Sequence, residues 1–260
     1  MSIPFDTGPT GTFRTLCESY PDDTVYKGTD GFRAVWGPIF YRGRADGNAR
    51  LLVIGQDPAQ TEAILRRILC GQAGKRAQGF VEKLGYTTHY LMINTFAYAI
   101  YNQSMALPHL HDAAIESYRN AWIAAALAHG KIDAVVTFGN PARDAWNAFK
   151  ATPAGQAVSV FHQHAIHPTG DQGSITRKDL LDNWNVALTN LKPHATHPDV
   201  VKPLVPYGAD FTPAELPPIP SHDLPPGIPE WMRTSDAFWA SMPASPNEGD
   251  QRANISITVP

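Results

Sequence analysis

Apolar residues in the first part of the chain fall into short continuous runs, which alternate with segments of helical periodicity. The runs at 51–54, 89–93, 134–138 and 158–161 are of strand length, and each stops on a glycine or a polar residue. Runs of this kind, without regular polar alternation, are typical of strands that are covered on both faces of a sheet. The pattern therefore predicts four buried strands.

Helical segments separate these strands, because apolar residues recur there at three- and four-residue spacing and glycines end the pattern. Helices are predicted at 13–20, 61–69, 73–84, 112–129 and 177–191, with a further one that holds Trp146 and Phe149. Strands that alternate with helices of this length predict right-handed crossovers and helices on both faces of the sheet. The expected fold class is α/β, a three-layer α/β/α sandwich with a four-stranded, mainly parallel central sheet.

The pattern changes at Pro193, and the chain from Pro193 onward holds 14 of its 23 prolines. Proline removes backbone donors, so regular helices and paired strands are not expected there. Five apolar anchors nevertheless predict an extended arm that packs on the domain, with a loose end after about Pro243; a partner-binding polyproline segment is the alternative. The expected division is one domain over 1–192, with its core at about 36–192, and a proline-rich extension over 193–260. The anchors are Phe211, Trp231, Met232, Phe238 and Trp239.

Composition narrows the function classes. The 260 residues are 43% apolar, which is enough for a proper core, and the net charge of −3 gives no global basic field, so any polyanion must meet a local patch. Two cysteines, Cys17 and Cys70, are too few for a four-thiolate iron–sulfur or zinc site. Residues 1–6 lack the pattern of a signal peptide, and no apolar run reaches the roughly 20 residues of a membrane span. A cytoplasmic protein with no cofactor and no membrane partner is expected.

Polar side chains with catalytic potential follow the predicted strands. Gln56 and Asp57 follow the first strand, Asn94 ends the second, Asn140 follows the third, and His167 lies beyond the fourth. A parallel sheet brings its carboxyl ends to one edge, where open α/β sheets place their ligand sites. A carboxylate, an amide and an imidazole that face one cleft suit a hydrolytic reaction.

Three short motifs at these positions resemble the signatures of a known family. Gly-Gln-Asp-Pro at 55–58, Asn-Thr at 94–95 and His-Pro-Thr at 167–169 are together similar to the three motifs of the uracil-DNA glycosylase superfamily. The resemblance covers about residues 36–191. Gly-Gln-Asp-Pro matches the metal-free branch, whereas Leu-Cys-Gly-Gln-Ala-Gly at 69–74 resembles the Phe-Val-Gly-x-Ala-Gly stretch of the iron–sulfur branch, whose cysteine ligands are missing here.

The resemblance implies a monomeric, cofactor-free DNA glycosylase that initiates base excision repair by flipping and excising uracil from single- or double-stranded DNA. Asp57 would position the water and stabilise the oxocarbenium-like sugar. The backbone N–H of Gln56 would contact the base, the amide of Asn94 would bind the uracil edge, and His167 would donate to O2 of the departing uracil anion. The backbone phosphates would be held by Pro168, Thr169, Gly170, Arg177 and Lys178.

The chain also departs from the family pattern. Ala59 stands where the metal-free branch has the tyrosine that blocks the thymine methyl group, so thymine exclusion needs another wall or the pocket is roomier. Leu69 stands at the position of the stacking phenylalanine, with Phe80 or Phe96 as possible substitutes. No leucine directly follows the His-Pro motif to act as a wedge, and the loop at 101–111 is the candidate for strand separation.

Other readings of the same residues remain open at this stage. Asp57 can be a plain helix cap and Asn94 a turn residue. The spacing of His162, His164 and His167, with Asp57 as a carboxylate ligand, suits a metal-dependent hydrolase. A damaged-DNA-binding protein with the same fold but no turnover is the non-enzymatic alternative. One further basic cluster is expected either to contact phosphates or to form a solvated helix face; it consists of Arg66, Arg67, Lys75 and Arg76.

Overall fold

The computed structural model describes residues 5–21, 25–26, 31–234, 239–241 and 256–258. The helices are α1 (Gly11–Glu18), α2 (Gln60–Leu65), α3 (Gln72–Leu84), α4 (Gln103–Ala106), α5 (Ala113–Leu127), α6 (Asn140–Ala151), α7 (Pro153–Gln156) and α8 (Arg177–Leu191). The strands are β1 (Tyr41–Gly43), β2 (Leu51–Gly55), β3 (Tyr90–Asn94), β4 (Ala134–Phe138), β5 (Phe161–Ala165), β6 (Trp239–Ser241) and β7 (Ser256–Thr258).

The central sheet has five strands in the order β1-β3-β2-β4-β5. β1 pairs antiparallel with β3, and the other neighbours are parallel. β6 and β7 pair antiparallel in a separate two-stranded sheet. Both lie in the proline-rich segment, so the expectation of no paired strands after Pro193 is wrong; neither strand contains a proline. The predicted α/β class with a mainly parallel sheet is confirmed, and the sheet has one strand more than expected.

Helices cover both faces of this sheet because β2 is apolar at every position. Leu51 and Val53 join a core cluster with residues of α3 and α8, such as Phe80 and Trp184. Leu52 and Ile54 join a second cluster with residues of α1, α5 and α6, such as Trp122. All four β2 side chains have no exposed surface. The continuous apolar run thus reflects burial on both sides, as expected for a central parallel strand.

Two strand predictions need correction. The fourth predicted strand lies at 161–165 and not at 158–161, and its first four residues are only half-buried. Because β5 is an edge strand, it tolerates polar residues such as His162 and Gln163, which hid it from the apolar pattern. β1 was not predicted, since its three residues follow a segment that Gly37 and Pro38 interrupt.

Most predicted helices lie within two residues of their expected bounds, and α8 matches its bounds fully. The helix expected at 61–69 ends instead at Leu65. Arg66 and Leu69 then take left-handed backbone angles, with φ of 58° and 51°. The apolar residues after Leu65 are buried from a loop and not from a helix, so helical spacing alone overran the true end.

The proline-rich segment packs on the domain as far as the structure describes it. Tyr207, Ile219 and Leu224 are at most 4% exposed, although the sequence pattern did not single them out. Of the predicted anchors, Phe211 is partly buried against Trp184 and Tyr207, Met232 packs near Ile219, and Trp231 is 36% exposed. Phe238, the side chain of Trp239 and the segment directly after Pro243 lie outside the described residues.

A buried polar cluster fastens this segment to the edge of the sheet. The hydroxyl of Tyr90 donates to Asp223 at 2.5 Å, and the Arg42 guanidinium lies 3.6 Å from the same carboxylate oxygen. Arg42 also donates to Gln78 at 3.0 Å. Burial raises the pKa of Asp223, and the charge of Arg42 opposes that shift. No helix in the described ranges combines the length and hydropathy that a membrane span needs.

Candidate active site

A cleft of about 470 Å³ lies where the carboxyl ends of the strands meet. Six of the side chains predicted from the sequence line it, so the sheet does bring the separate motifs together. These six are Gln56, Asp57, Ala59, Leu69, His167 and Thr169. The other lining residues are Gln60, Thr61, Glu62, Gly71, Gln72, Ala73, Gln103 and Gln172.

Asp57 follows β2 in a loop that the backbone holds against β3. The N–H of Thr95 donates to the carbonyl of Gly55 and the N–H of Phe96 to that of Gln56, both at 2.9 Å. Part of the Asp57 side chain opens on the cleft, but the surrounding protein removes the carboxyl group from bulk water. This burial raises the pKa of Asp57 to about 7; a hydrogen bond from Gln103 lowers it, and the charge of Glu62 raises it further.

Gln103 is a site residue that sequence reasoning missed. It begins α4, in the loop between β3 and α5, and its Nε2 donates to Oδ1 of Asp57 and to Oε1 of Gln56, both at 3.0 Å. An amide in an irregular loop carries no periodic signal. Only the position of this loop beside the carboxyl edge of the sheet could have suggested it.

The Gln56 side chain lies in a space that Gly139 leaves open. A Cβ at position 139 would lie 1.9 Å from Nε2 of Gln56 and 3.2 Å from Cβ of His167, and φ of Gly139 is +86°. Only glycine meets both requirements at low cost. The strand-end glycine of β4 therefore sets the side-chain packing between the Gln56 and His167 loops.

Glu62 ties the two walls of the cleft together, and the sequence gave no reason to select it. Its Oε1 accepts from the N–H groups of Cys70 at 2.7 Å and Gly71 at 2.9 Å, and its Oε2 accepts from that of Ala59 at 3.1 Å. The side chain is 5% exposed. A buried carboxylate that accepts three backbone N–H groups fixes the Asp57 loop relative to the Leu69 loop.

Leu69 is pressed against α3 by the absence of a side chain at Gly74. A Cβ on Gly74 would lie only 1.6 Å from the carbonyl oxygen of Leu69. Leu69 itself is 6% exposed and has a φ of 51°, which is rare for a branched residue. Its side chain is one of those that line the cleft.

Asn94 does not line this cleft; it lines a separate cavity of about 20 Å³ with residues such as Tyr118 and Trp122. Its Oδ1 would be 2.5 Å from a Cβ at Gly55, and Cδ1 of Leu69 would be 3.5 Å from the same point, so the amide lies beside the Leu69 side chain. Asn94 is 7% exposed. Neither its Oδ1 nor its Nδ2 has a hydrogen-bond partner among the described residues. A buried amide without partners is costly unless a ligand supplies them.

His167 is held as a neutral imidazole. The backbone N–H of Thr169 donates to Nδ1 at 3.3 Å, so the ring proton belongs on Nε2. The hydroxyl of Thr169 lies 3.0 Å from the same nitrogen. Burial lowers the pKa of His167 to about 4, and the positive charge of Arg76 lowers it further. At neutral pH the ring thus offers one N–H donor and carries no charge.

The loop after His167 is held in place by Arg76 of α3. Arg76 donates to the carbonyl of Pro168 and to Asp171, both at 2.6 Å. Gly170 begins a short 3-10 turn, Gly170–Gln172, and a Cβ on it would lie 2.7 Å from Cγ2 of Ile166. The backbone conformation of the predicted phosphate-binding loop is therefore fixed before any ligand binds.

The two cations expected to grip phosphates are already paired. Arg177 forms ion pairs with Asp171 and Asp210 and is 38% exposed. Lys178 pairs with Asp182 at 2.5 Å, on a side chain that is 79% exposed. None of the residues that line the cleft, all within the described range 31–234, is a lysine or an arginine. A ligand in the cleft would meet mainly neutral donors.

The other predicted basic cluster is buried or half-buried, so it does not form the solvated helix face that was one of its two expectations. Arg66 donates to the carbonyls of Trp36 and Pro38, and Arg67 pairs with Asp6 at 2.6 Å. Lys75 and Arg76 are 8% and 3% exposed. These side chains bind loops and the C-terminal segment to the domain, which the sequence could not show because their partners are distant in the chain.

The three-histidine spacing does not produce a metal centre. His162 and His164 pair with Val135 and Thr137 of β4, and Oγ1 of Thr137 lies 2.9 Å from Nε2 of His162. His167 lies apart from them, in the cleft. Within the described part of the chain, no group of three or more His, Cys, Asp or Glu side chains could hold a metal ion.

Comparisons with known proteins assign no family. No protein-family model matches the chain, and no curated protein matches it.

Proposed function

We propose that this chain is a monofunctional DNA glycosylase of the uracil-DNA glycosylase superfamily, which excises uracil from DNA. The observation that carries the proposal is the meeting of Asp57 and a neutral His167 in one cleft, from motifs 110 residues apart. A carboxylate beside a neutral imidazole donor suits a reaction that develops positive charge on a sugar and negative charge on a base. The protein would act as a cytoplasmic monomer without a cofactor.

The bond between C1′ of the sugar and N1 of uracil breaks with its electron pair on the base. The Asp57 carboxylate stabilises the positive sugar, orients the water that adds to C1′ and accepts the proton that this water loses, while the departed uracil anion takes a proton from solvent. Nε2–H of His167 donates to O2 of the departing anion. Because this imidazole is neutral beforehand, the donor is in place without a change of protonation.

Base selection would rest on Asn94, and the base must pass the Leu69 side chain to reach this amide, which does not line the cleft. Its Oδ1 can accept from N3–H of uracil while its Nδ2 donates to O4, whereas cytosine presents the reverse pattern. Both amide atoms have no partner among the described residues, so uracil would supply two hydrogen bonds and cytosine would leave two buried groups unpaired. The target nucleotide must leave the duplex to reach this amide, at a cost of a few kcal/mol.

Contact with the DNA backbone would rely on neutral groups. The fixed turn at Pro168, Thr169 and Gly170 offers the Thr169 hydroxyl, because Pro168 has no N–H and the N–H groups of Thr169 and Gly170 already donate to His167. Gln72 and Gln172, which are joined by a hydrogen bond of 2.6 Å at the cleft, offer side-chain amides. Lys178 is the exposed cation nearest in sequence to this turn, and Arg177 would have to exchange its carboxylate partners for phosphate.

An excision panel tests the proposal. Oligonucleotides with a single uracil, thymine, hypoxanthine or 5-substituted uracil, in single- and double-stranded form, are incubated with the full chain and assayed for abasic sites. We expect uracil release, a loss of about 10²–10⁴-fold for Asp57→Asn, and a loss of about 10²–10³-fold for His167→Ala. Asp144→Asn, an exposed carboxylate outside the cleft, is the matched control and should keep wild-type activity.

Two results would change the conclusion. DNA binding without release of any base would favour the non-catalytic damage-binding alternative. Release of a substituted base but not of uracil would keep the reaction and reassign its substrate, as the small Ala59 side chain in the cleft wall permits.

A further inference from the structure

The Gln103 side chain reaches the cleft from an element that none of the three motifs includes. Its single Nε2 atom carries two hydrogens, and the two acceptors at 3.0 Å are Oδ1 of Asp57 and Oε1 of Gln56. Both hydrogens of the amide are therefore used. The remaining carboxylate oxygen, Oδ2 of Asp57, receives no hydrogen bond from any described residue, and Asp57 is among the residues that line the cleft.

Hydrogen bonds within the loop hold the backbone of Gln103 in place. Oδ1 of Asn102 caps α4 by accepting from the N–H of Met105 at 3.0 Å, and it also accepts from the hydroxyl of Ser104 at 2.8 Å. Ala106 and Leu110 are buried in a separate aromatic cluster beyond the edge of the sheet. Although the side chain of Gln103 is exposed, the backbone that carries it is fixed at both ends.

The acceptor side is fixed as well. Gln56 turns its Nε2 towards Gly139, where a Cβ would lie 1.9 Å away, and this leaves its Oε1 for Gln103. The side-chain oxygen Oε1 of Gln56 and the Asp57 carboxylate thus accept hydrogen bonds from the same amide group. A rotation of the Asp57 carboxyl group would break a hydrogen bond that Gln56 alone cannot replace.

We propose that Gln103 is the positioning residue for Asp57: its amide holds one carboxylate oxygen, so that the other stays directed at the water and the sugar. This inference rests on the proposed function and adds a residue from the loop between β3 and α5 to it. Gln103 acts through Asp57 and through no contact of its own with the reacting bond.

The charges around Asp57 make the hydrogen bond consequential. The negative charge of Glu62, on α2, disfavours ionisation of Asp57 and so raises its pKa. His167 faces it across the cleft as a neutral ring, with the positive charge of Arg76 behind that ring. α4 contributes no charged side chain, since its residues are Gln, Ser, Met and Ala. The donor from Gln103 therefore favours the ionised form of Asp57 and opposes the effects of burial and Glu62.

Carboxyl ¹³C NMR titration tests this coupling without reference to catalysis. The Asp57 resonance is assigned by its loss in Asp57→Asn and followed from pH 4 to 9 in the full chain. We expect a midpoint near pH 7 in the wild type. In Gln103→Ala the midpoint should rise by about one pH unit, because the removed hydrogen bond favoured the carboxylate. Gln103→Glu, which has nearly the same shape and adds a negative charge, should raise it further.

Gln172→Ala is the matched control, since Gln172 also lines the cleft and has no bond to Asp57. Its Asp57 midpoint should equal that of the wild type. The acid limb of uracil excision should shift in Gln103→Ala by the same amount as the titration. The maximal rate at high pH should also stay at least several-fold below that of the wild type, because orientation is lost as well as ionisation.

An unchanged Asp57 midpoint in both Gln103 variants would overturn the inference, as would an equal shift in Gln172→Ala. A shifted midpoint in a protein that releases no uracil would refute the proposed function and still support the coupling between Gln103 and Asp57. The two failures are therefore distinguishable.

Discussion

At the scale of single residues, the ionised form of Asp57 that the proposed reaction needs lowers the stability of the fold. Its pKa is about 7 in the folded chain, whereas an unfolded chain returns it to the ordinary value of about 4. The folded state therefore binds this proton more tightly than the unfolded state does. The free energy of unfolding must fall as pH rises from about 4 to about 7, and the loss is complete above pH 7.

Asp57→Asn should accordingly stabilise the protein at pH 8 while it removes excision. We expect a gain of about 1–3 kcal/mol, discounted for the part of the side chain that faces solvent, and no gain at pH 4. Urea unfolding at the two pH values measures it. An equal gain at both would mean that ionisation of Asp57 is not its source.

The pH dependence of excision should follow from the same two residues. The rate should rise with pH around a midpoint near 7, as Asp57 ionises. His167, with a pKa of about 4, should add no descending limb between pH 5 and 9, because it is neutral throughout. Initial rates under substrate saturation give the profile. A bell-shaped curve with a fall before pH 8 would contradict the neutral-imidazole assignment.

Sequence reasoning reached some site residues and not others for a physical reason. Gln56, Asp57 and His167 follow strands, and strand ends converge by the geometry of a parallel sheet. Glu62 and Gln103 act through contacts that only the folded loops create, so nothing in their neighbourhood in the sequence marks them. The side chains that define the motifs could be predicted, but those that hold them in place could not.

At the scale of elements, the three N–H groups bound by Glu62 unite the loop after β2 and the loop before α3. Glu62→Gln replaces one acceptor oxygen with an N–H₂ group, which would then face a backbone N–H. We expect a loss of about 1–3 kcal/mol of unfolding free energy and a fall in excision, since Ala59 and Leu69 would shift relative to Asp57.

Glu18→Gln on α1 is the control for Glu62→Gln, because its carboxylate is 63% exposed and pairs with the exposed Arg14 side chain. It should change stability by less than about 0.5 kcal/mol. Chemical denaturation of both variants at pH 7 decides the comparison. An equal loss of unfolding free energy in the two variants would show that the hydrogen bonds of Glu62 do not stabilise the cleft.

Asp199 holds the start of the proline-rich segment against the residues that directly precede β3, at the amino ends of the parallel strands. Burial disfavours its ionisation, but the N–H groups of Thr88, His89 and Thr87, together with the His89 ring, outweigh burial and lower its pKa to about 2. A depressed pKa stabilises the fold above the unfolded value of about 4, and this contribution disappears as pH falls towards 2.

Asp199→Asn should therefore lower the free energy of unfolding by about 1–2 kcal/mol at pH 7, a range discounted for solvent screening of this partly exposed carboxylate, and by little at pH 2. This sign is opposite to that of Asp57→Asn, and the two variants serve as controls for each other. Thermal unfolding at both pH values, with limited proteolysis of the C-terminal segment, measures the effect. A loss that is independent of pH would point to packing instead of charge.

The strands show the same division between what patterns reveal and what contacts decide. β2, β3 and β4 are covered on both faces, so their apolar runs identified them directly. β5 lies at an edge with half-buried His162 and Gln163, and β1 is held only by its antiparallel pairing with β3. Edge strands are specified by their neighbours, and a neighbour is not visible in a local pattern.

At the scale of the whole molecule, the lack of cations on the cleft lining predicts weak salt dependence of DNA binding. Each phosphate neutralised contributes about −0.7 to −0.9 to the slope of log K against log salt concentration. With Lys178 as the exposed cation beside the turn, we expect a slope of about −1 to −2 for uracil DNA and the catalytically inactive Asp57→Asn chain. Lys178→Ala should reduce it by about 1. A slope steeper than about −4 would require a basic surface elsewhere on the chain.

The bonds of Glu62 also bear on how the molecule assembles. They join Glu62 to residues three, eight and nine positions away, so one wall of the cleft closes only short loops. His167 and Gln103 arrive from chain segments that are more than forty positions distant. Short loops close first. We therefore expect the folding chain to form the part of the cleft that Glu62 ties together before His167 reaches its place. In native-state hydrogen exchange, the amides of Cys70 and Gly71 should then open only with the global transition, whereas the Thr169 amide should exchange by a smaller, independent opening.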